Sequence, residues 1–295
     1  VIVLAAPIGG RSAPRPVRAL AAVALLPAPV GFYATHVEPS WLRVDHPVVA
    51  IDPERAGDDE IRIAVLADLQ TPGVGDHERH AVAEVMAAEP DVILLPGDIF
   101  QGPDDHLEQG IAELHDLLAT LRAPHGVYFV RGDADGHHAG PAARILEGTR
   151  VVTLVDDVTE IEVGDRTVRI GGTDLAYDTT AADAVRTDLL GTPDDGAITV
   201  LVSHRPDTVL ALPDASRVDL TVAGHTHGGQ IVIPGVGPLV TRTDVPRTVA
   251  RGGLHAVAGN PIYVSPGVGL LRGRAPQVRF LSRPAVAILT LRDAG

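Results

Sequence analysis

His225 and His227 sit two residues apart in the string Val-Ala-Gly-His-Thr-His-Gly-Gly-Gln, 222–230, directly after the apolar run 220–223. Imidazole is the commonest protein ligand for transition metals. The flanking glycines let the chain turn sharply and let a ligand approach the backbone. On its own the pair describes equally well an exposed loop with two solvated side chains. Four further positions shift the balance towards a metal. Asp68 follows the run 61–67, Asp98 the run 92–95, Asp133 the run 126–130 and His204 the run 198–202. Carboxylates and imidazoles brought together suit a cluster of two divalent ions.

The elements that must position these residues are legible from their periodicity. Each run is short, apolar and bounded by Gly, Pro or Asp, the pattern of a core strand in an α/β sheet. Ligands of such sheets gather beyond the carboxyl ends of the strands, where all six residues would stand. Residues 77–89 carry Val82, Val85 and Met86 at helical spacing, and 105–121 carry Leu107, Ile111, Leu114, Leu117, Leu118 and Leu121. Both predict helices that cover a sheet. A shorter helix is predicted at 141–146. From Val151 onward strand-like runs dominate, with Gly164-Asp165 marking a hairpin between two of them.

In order and spacing the six residues resemble the calcineurin-like metallophosphoesterases, whose pattern is Asp-x-His, Gly-Asp, Gly-Asn-His-Asp/Glu, a lone His and Gly-His-x-His. The resemblance runs from Asp68 to His227 and continues beyond. Glu38-Pro-Ser-Trp-Leu42, Gly228-Gly-Gln-Ile231 with Pro234-Gly, Tyr263-Val-Ser-Pro-Gly-Val268 and the stretch 283–291 are similar to the bacterial membrane-anchored branch. It implies an α/β fold, the four-layer αββα sandwich. It also implies two divalent metal ions, Mn, Fe or Zn. One would be held by Asp68, Asp98 and His227. The other would be held by Asp98, Asp133, His204 and His225, with Asp98 bridging. Asp98, His204 and Arg205 are the residues expected to carry catalysis.

Three positions depart from the pattern. Gln70 stands where the family has a metal-ligating histidine, and supplies only a neutral amide oxygen, a harder and weaker donor than imidazole. Asp133 replaces the ligand asparagine, keeping an oxygen and adding a charge. Ala134 replaces the catalytic histidine and can neither donate a proton nor stabilise a leaving group. Two ions roughly 3.5–4 Å apart clamp phosphoryl oxygens and lower the pKa of a shared water from about 15.7 to about 7. That part of the chemistry retains its ligands. The missing acid costs about 10²–10⁴-fold, which predicts a slowed enzyme or one suited to good leaving groups. A rival expectation is a catalytically silent relative kept as a metal- or phosphate-binding module. Arg205 is either a phosphate clamp or one half of a salt bridge. His137 and His138 either reach back to the vacated position or are loop histidines. His77 and His80 read as solvated.

Composition bounds the substrate. With a net charge of −14 over 295 residues and 3% aromatics, neither a basic nucleic-acid surface nor base stacking is expected. A small phosphate-ester substrate stays open, because metals reverse the local potential. Hydrophobic residues, at 45%, suffice for a large core, and there is no cysteine, which excludes disulfides and Cys-based zinc sites. Arg11, Arg15 and Arg18 precede an uncharged, mostly apolar stretch, 19–34, broken by Pro27 and Pro29. It reads as a membrane anchor or a cleaved signal segment. The arginines predict a cytoplasmic N-terminal flank with the domain outside. The expected organisation is therefore 1–35 as anchor region, 36–60 as linker and 61–295 as the phosphoesterase domain. Arg272, Arg274, Arg279 and Arg283 either meet a phosphate or lipid headgroup or decorate an ordinary solvated loop.

Overall fold

The apolar runs become strands because they can bury both faces between layers. The computed structural model describes residues 14–16, 27–57, 59–136, 140–191, 196–273 and 275–293. The first sheet contains β1 (Arg43–Asp45), β2 (Val48–Ile51), β3 (Ile61–Val65), β4 (Val92–Leu95), β5 (Val127–Phe129), β6 (Val151–Thr153) and the C-terminal β15 (Ala285–Asp293). Its order is β1-β15-β3-β4-β5-β6, with β2 also on β15. Strands β3 to β6 are parallel, and β15 runs antiparallel to β3. The second sheet holds β7 (Asp157–Val163), β8 (Arg166–Gly172), β9 (Ile198–Val202), β10 (Leu220–Ala223), β13 (Gly253–Val257) and β14 (Asn260–Val264), in the order β13-β14-β10-β9-β8-β7. A small antiparallel ribbon, β11 (Val232–Ile233) and β12 (Gly237–Pro238), stands apart.

Three apolar clusters give the layer order. One lies between the sheets, with Ile63, Val65 and Leu94 facing Val200, Val202 and Val222. The second packs the other face of the first sheet against helices at Asp76–Ala87, Leu107–Leu118 and Pro141–Leu146. The third packs the second sheet against Thr180–Gly191 and the short turns around Val209 and Val249. The sequence is thus helix, sheet, sheet, helix. Strands β3, β4 and β9 end at the same rim, and their following loops carry Asp68, Asp98 and His204.

Two expectations change. Residues 36–60, anticipated as a linker, contribute β1 and β2 to the first sheet, because Val49 and Ile51 have an apolar cluster to join. Of the segment expected to anchor the chain, residues 27–34 are described. They form a six-residue helix, α1 (Pro27–Phe32), that runs into a π-helical turn, Tyr33–Val37. No helix among the described residues is long and apolar enough to cross a membrane. Arg11, Arg18 and residues 19–26 lie outside the described residues, as do His137, His138 and Arg274. The helix at Thr180–Gly191 and the β13–β14 hairpin were not anticipated as elements.

Candidate active site

The loops after the strands are held in unusual backbone conformations. Asp68, Gln70, Asp98, His225 and His227 all have positive φ, between 37° and 72°. Non-glycine residues rarely adopt that region, and their concentration in one place marks a functional site. Two glycines make the crowding possible. A Cβ at Gly132 would lie 2.2 Å from Asp98 Oδ1, and one at Gly224 would lie 2.4 Å from Asp68 Oδ2. Asp135 ties the turns together. Its buried carboxylate accepts the N–H groups of Asp98, Ile99 and Gly132, each at 2.7 Å.

The imidazoles are oriented from behind. His204 Nδ1 meets the Pro96 carbonyl at 2.8 Å, and His225 Nε2 meets that of Arg242 at 3.1 Å. Each carbonyl accepts, so the lone pairs belong to His204 Nε2 and His225 Nδ1. Those two atoms face each other at 3.2 Å. Asp133 Oδ2 lies 2.9 Å from the second and 3.8 Å from the first. Three acceptors aimed at one point are the donor set of a cation. Asp68, Asp98 and His204 make an adjoining group whose ligand atoms lie within 4.8 Å of one another. His227 Nε2 stands 3.7 Å from Asp68 Oδ1. It is buried without a hydrogen-bond partner among the described residues, and so is Gln70 Oε1. The Gln70 amide nitrogen donates to Asp98 at 3.0 Å. Two neighbouring cation sites fit this arrangement, with Gln70 beside the one that contains Asp68 and His227.

The electrostatics point the same way. Burial, reinforced by Asp98, pushes Asp68 well above the usual carboxylate range. Burial lifts Asp98 to about 6, against the Ala134 N–H that donates to it. Burial and Asp98 lift Asp135 to about 6 as well. Burial brings His204 down to about 4 and holds His227 well below the ordinary histidine value, where Arg279 adds repulsion. Burial acts upward on Asp133 too, but its close contact with His225 and the Arg205 hydrogen bond outweigh it and hold that carboxyl well below its usual range. Crowded carboxylates beside neutral imidazoles lack positive charge, which divalent ions supply.

A family model for the calcineurin-like phosphoesterases matches residues 61–229, the stretch that carries all of these side chains. The chain belongs to this family. The family makes it a phosphoester hydrolase. The phosphoesterase is 27% identical over 286 residues to the uncharacterized metallophosphoesterase YkuE of Bacillus subtilis, covering 93% of this chain and 94% of that one. It is 28% identical over 279 residues to the phosphodiesterase YaeI of Escherichia coli, covering 88% and 92%. Among solved structures, a dimetal phosphatase of Danio rerio superposes with a TM-score of 0.44 at 12% identity, over 70% of this chain and 88% of that one.

The structure brings Asp68, Gln70, Asp98, Asp133, His204, His225 and His227 of the phosphoesterase together. Arg205 is paired with Asp133 at 2.7 Å and also lines the cavity. His80 is exposed beside Glu84, whereas His77 is half-buried against the Val268 carbonyl at 3.0 Å. The solvated-loop expectation fails for Arg272, Arg279 and Arg283. Arg279 is fully buried, with burial lowering it to about 10, and it donates to the carbonyls of Pro266, Gly267, Gly269 and Ser282. Arg272 donates to the Gln70 carbonyl at 2.8 Å and lines the cavity. Arg283 lies over the Trp41 ring at 4.2 Å. Sequence reasoning missed the support of His227. Buried Glu38 accepts the N–H groups of Leu281 and Ser282, and Ser282 Oγ donates to the His227 carbonyl at 3.0 Å. The signal was the string Glu38-Pro-Ser-Trp-Leu42, which carried part of the resemblance but was given no role.

Proposed function

We propose that this protein hydrolyses phosphate esters by metal-dependent attack of water, with the chemistry confined to the Asp/His cluster. The observation that carries the reading is the pair of imidazole lone pairs converging on Asp133. Asp68, Asp98, His227 and Gln70 would hold one divalent ion, and Asp98, Asp133, His204 and His225 the other. Such ions supply Lewis acidity towards phosphoryl oxygens and lower the pKa of water. The protein's own groups do the rest. Pro96 and Arg242 fix the tautomers of His204 and His225. Asp135 fixes the Asp98 turn. Arg205, on the Asp133 side, and Arg272, on the Gln70 side, offer guanidinium donors to phosphoryl oxygens. Ala134 offers no proton to a leaving oxygen, so esters with good leaving groups are the better substrates.

The name of the Escherichia coli relative, a phosphodiesterase, supports including diesters. The uncharged residues 19–34 behind Arg11, Arg15 and Arg18 support a membrane-associated chain with its domain outside the cytoplasm. A phosphorylated lipid or envelope intermediate would suit that location. The test is turnover of p-nitrophenyl phosphate and bis-p-nitrophenyl phosphate by the metal-loaded chain. Asp98→Asn serves as control and is expected to lose more than about 10²-fold. Bound ions with no turnover of either ester would instead favour the silent binding module, the reading that Ala134 motivates.

A further inference from the structure

The cluster forms one end of a cavity of about 600 Å³ whose other wall is apolar. Ile231, Leu239, Val240, Leu271 and Pro276 make that wall, and among the described residues no Phe, Tyr or Trp lines the cavity. A nucleobase would find no Phe, Tyr or Trp face to stack on there. A flexible hydrocarbon would find matching surface. The wall does not stop at the cavity. It continues outward along the β11–β12 ribbon, where Val240 is 64% and Val236 is 57% exposed. Isolated apolar side chains on a surface are ordinary, but several continuous with an active site mark a ligand-binding surface.

Three arginines stand at the charged end of the cavity, beside the Asp98 and Asp133 carboxylates. Arg205 flanks the cluster on the Asp133 side, Arg272 flanks it on the Gln70 side, and Arg242 lines the same cavity. With Arg205 paired to Asp133, Arg242 and Arg272 offer guanidinium donors to a second phosphoryl group beside the one at the cluster. Ala134 adds a chemical constraint, since nothing at that position can protonate a leaving alkoxide. An alcohol leaving group needs such help, and a phosphate leaving group does not, because its oxygens are already stable as anions near neutral pH.

Given the phosphohydrolase reading above, the geometry points to a lipid diphosphate as the substrate class: a phosphoanhydride carried on a long apolar chain. Its hydrocarbon lies along Leu239, Val240 and Leu271, and its two phosphates lie among the Asp/His cluster and the three arginines. Water adds its oxygen to the terminal phosphorus. The bridging phosphorus–oxygen bond breaks, and its electron pair leaves on the lipid monophosphate. Of the two water protons, one stays on the inorganic phosphate and one goes to solvent. The outward run of apolar side chains lets the far end of the chain emerge towards a lipid surface. The flank next to the ribbon is apolar too. Phe280 pairs with Ile231 and meets the Tyr33 ring edge-on at 6.5 Å. Tyr33 follows α1, whose Val30 and Phe32 are exposed and whose preceding residues, 19–26, are uncharged.

The experiment compares geranylgeranyl diphosphate, geranylgeranyl monophosphate, inorganic pyrophosphate and p-nitrophenyl phosphate as substrates of the metal-loaded full chain. The diphosphate should turn over at least about 10²-fold faster than the monophosphate, which needs the missing acid. It should have a KM at least about tenfold below that of pyrophosphate, which lacks the hydrocarbon. Val240→Asp should raise the KM for the prenyl diphosphate about tenfold, the worth of one buried aliphatic side chain. Calorimetry on the metal-stripped chain gives a readout independent of turnover. Geranylgeranyl diphosphate should bind more tightly than pyrophosphate, and Val240→Asp should erase the difference. Val152→Asp, on the exposed edge strand β6 and outside the cavity lining, should leave p-nitrophenyl phosphate turnover and the preference for the prenyl diphosphate unchanged. Turnover of p-nitrophenyl phosphate with no preference for the prenyl diphosphate over pyrophosphate would overturn the lipid diphosphate while leaving the phosphohydrolase standing. Turnover of none of the four would overturn both.

Discussion

The two halves of the metal cluster are built differently. On one side, Asp133, His204 and His225 are each held by a partner outside the cluster, which leaves the His204 Nε2 and His225 Nδ1 lone pairs for an ion. Asp133, 34% exposed, is paired with Arg205 and His225, and each imidazole is held by a backbone carbonyl. On the other side, Asp68, Gln70 and His227 are fully buried. The His227 Nε2 and Gln70 Oε1 atoms have no partner among the described residues, while Arg279 stands 3.5 Å from His227 Nδ1 and Arg272 donates to the Gln70 carbonyl at 2.8 Å. A site whose ligands are already hydrogen-bonded keeps its shape without an ion. A buried site with orphaned acceptors depends on one, because an unpaired buried polar atom is costly. The two departures that replace a histidine fall one on each side: Ala134 beside Asp133, and Gln70 beside Asp68. The first should affect chemistry and the second should affect metal retention.

That division can be broken most directly at position 134. Restoring the histidine with Ala134→His should speed hydrolysis of poor leaving groups by up to about 10²-fold or more, the ordinary worth of a positioned acid. Nitrophenyl esters should gain little. The slope of log kcat against leaving-group pKa measures this, and metal content must stay constant. An equal gain for all leaving groups would remove the role assigned to the position.

The matching change on the other side is Gln70→His. Histidine tolerates the positive φ found there better than most residues, and imidazole is the better donor for transition metals. Retention of the ion near Asp68 and His227 should rise at least about tenfold, a change that even supporting residues of metal sites produce. In the unmodified protein a graded chelator should empty that site before the one at Asp133, His204 and His225, read as metal per chain. Loss of the Asp133 ion first would reverse the comparison.

Metal should also stabilise the fold unevenly. Ion at about 100 times its Kd adds about 2.7 kcal/mol per site to the folded state, so stepwise reloading should raise Tm in two stages. A single-stage rise would mean that the two halves bind as one unit.

The smallest effect tests the support of the buried half. Glu38→Ala leaves the Leu281 and Ser282 N–H groups without their acceptor, costing about 1–3 kcal/mol of stability. It should weaken the ion near His227 about tenfold while sparing the Asp133 side. Glu38→Gln, which keeps one acceptor oxygen, should recover part of both losses. Equal weakening of both ions would show that Glu38 serves the fold alone.

How much was legible follows from how each feature is encoded. The strands carrying the ligands were readable because burial on both faces demands continuous apolar runs, and Val92–Leu95, Ile198–Val202 and Leu220–Ala223 have the bounds their runs suggested. The helix at Pro141–Leu146 was equally plain, with proline at its first turn. Residues 43–51 were read as linker because short edge strands carry too few residues to establish a period. Arg279 was read as solvated because an arginine's burial depends on carbonyls brought to it by other loops, which no local pattern announces.

The sequence by itself determined which residues could be ligands, their order along the chain and the strand ends that carry them, because residue type and hydrophobic period are local properties. It also determined the three departures, Gln70, Asp133 and Ala134. Only the tertiary structure decided where the lone pairs point, which half of the cluster is self-sufficient, and that the cavity is apolar opposite its charge. Those properties depend on partners far apart in the chain, Pro96 for His204, Arg242 for His225 and Glu38 through Ser282 for His227. Hydrogen bonds between loops are set by how layers stack, and that stacking is fixed by the whole core rather than by any segment of it.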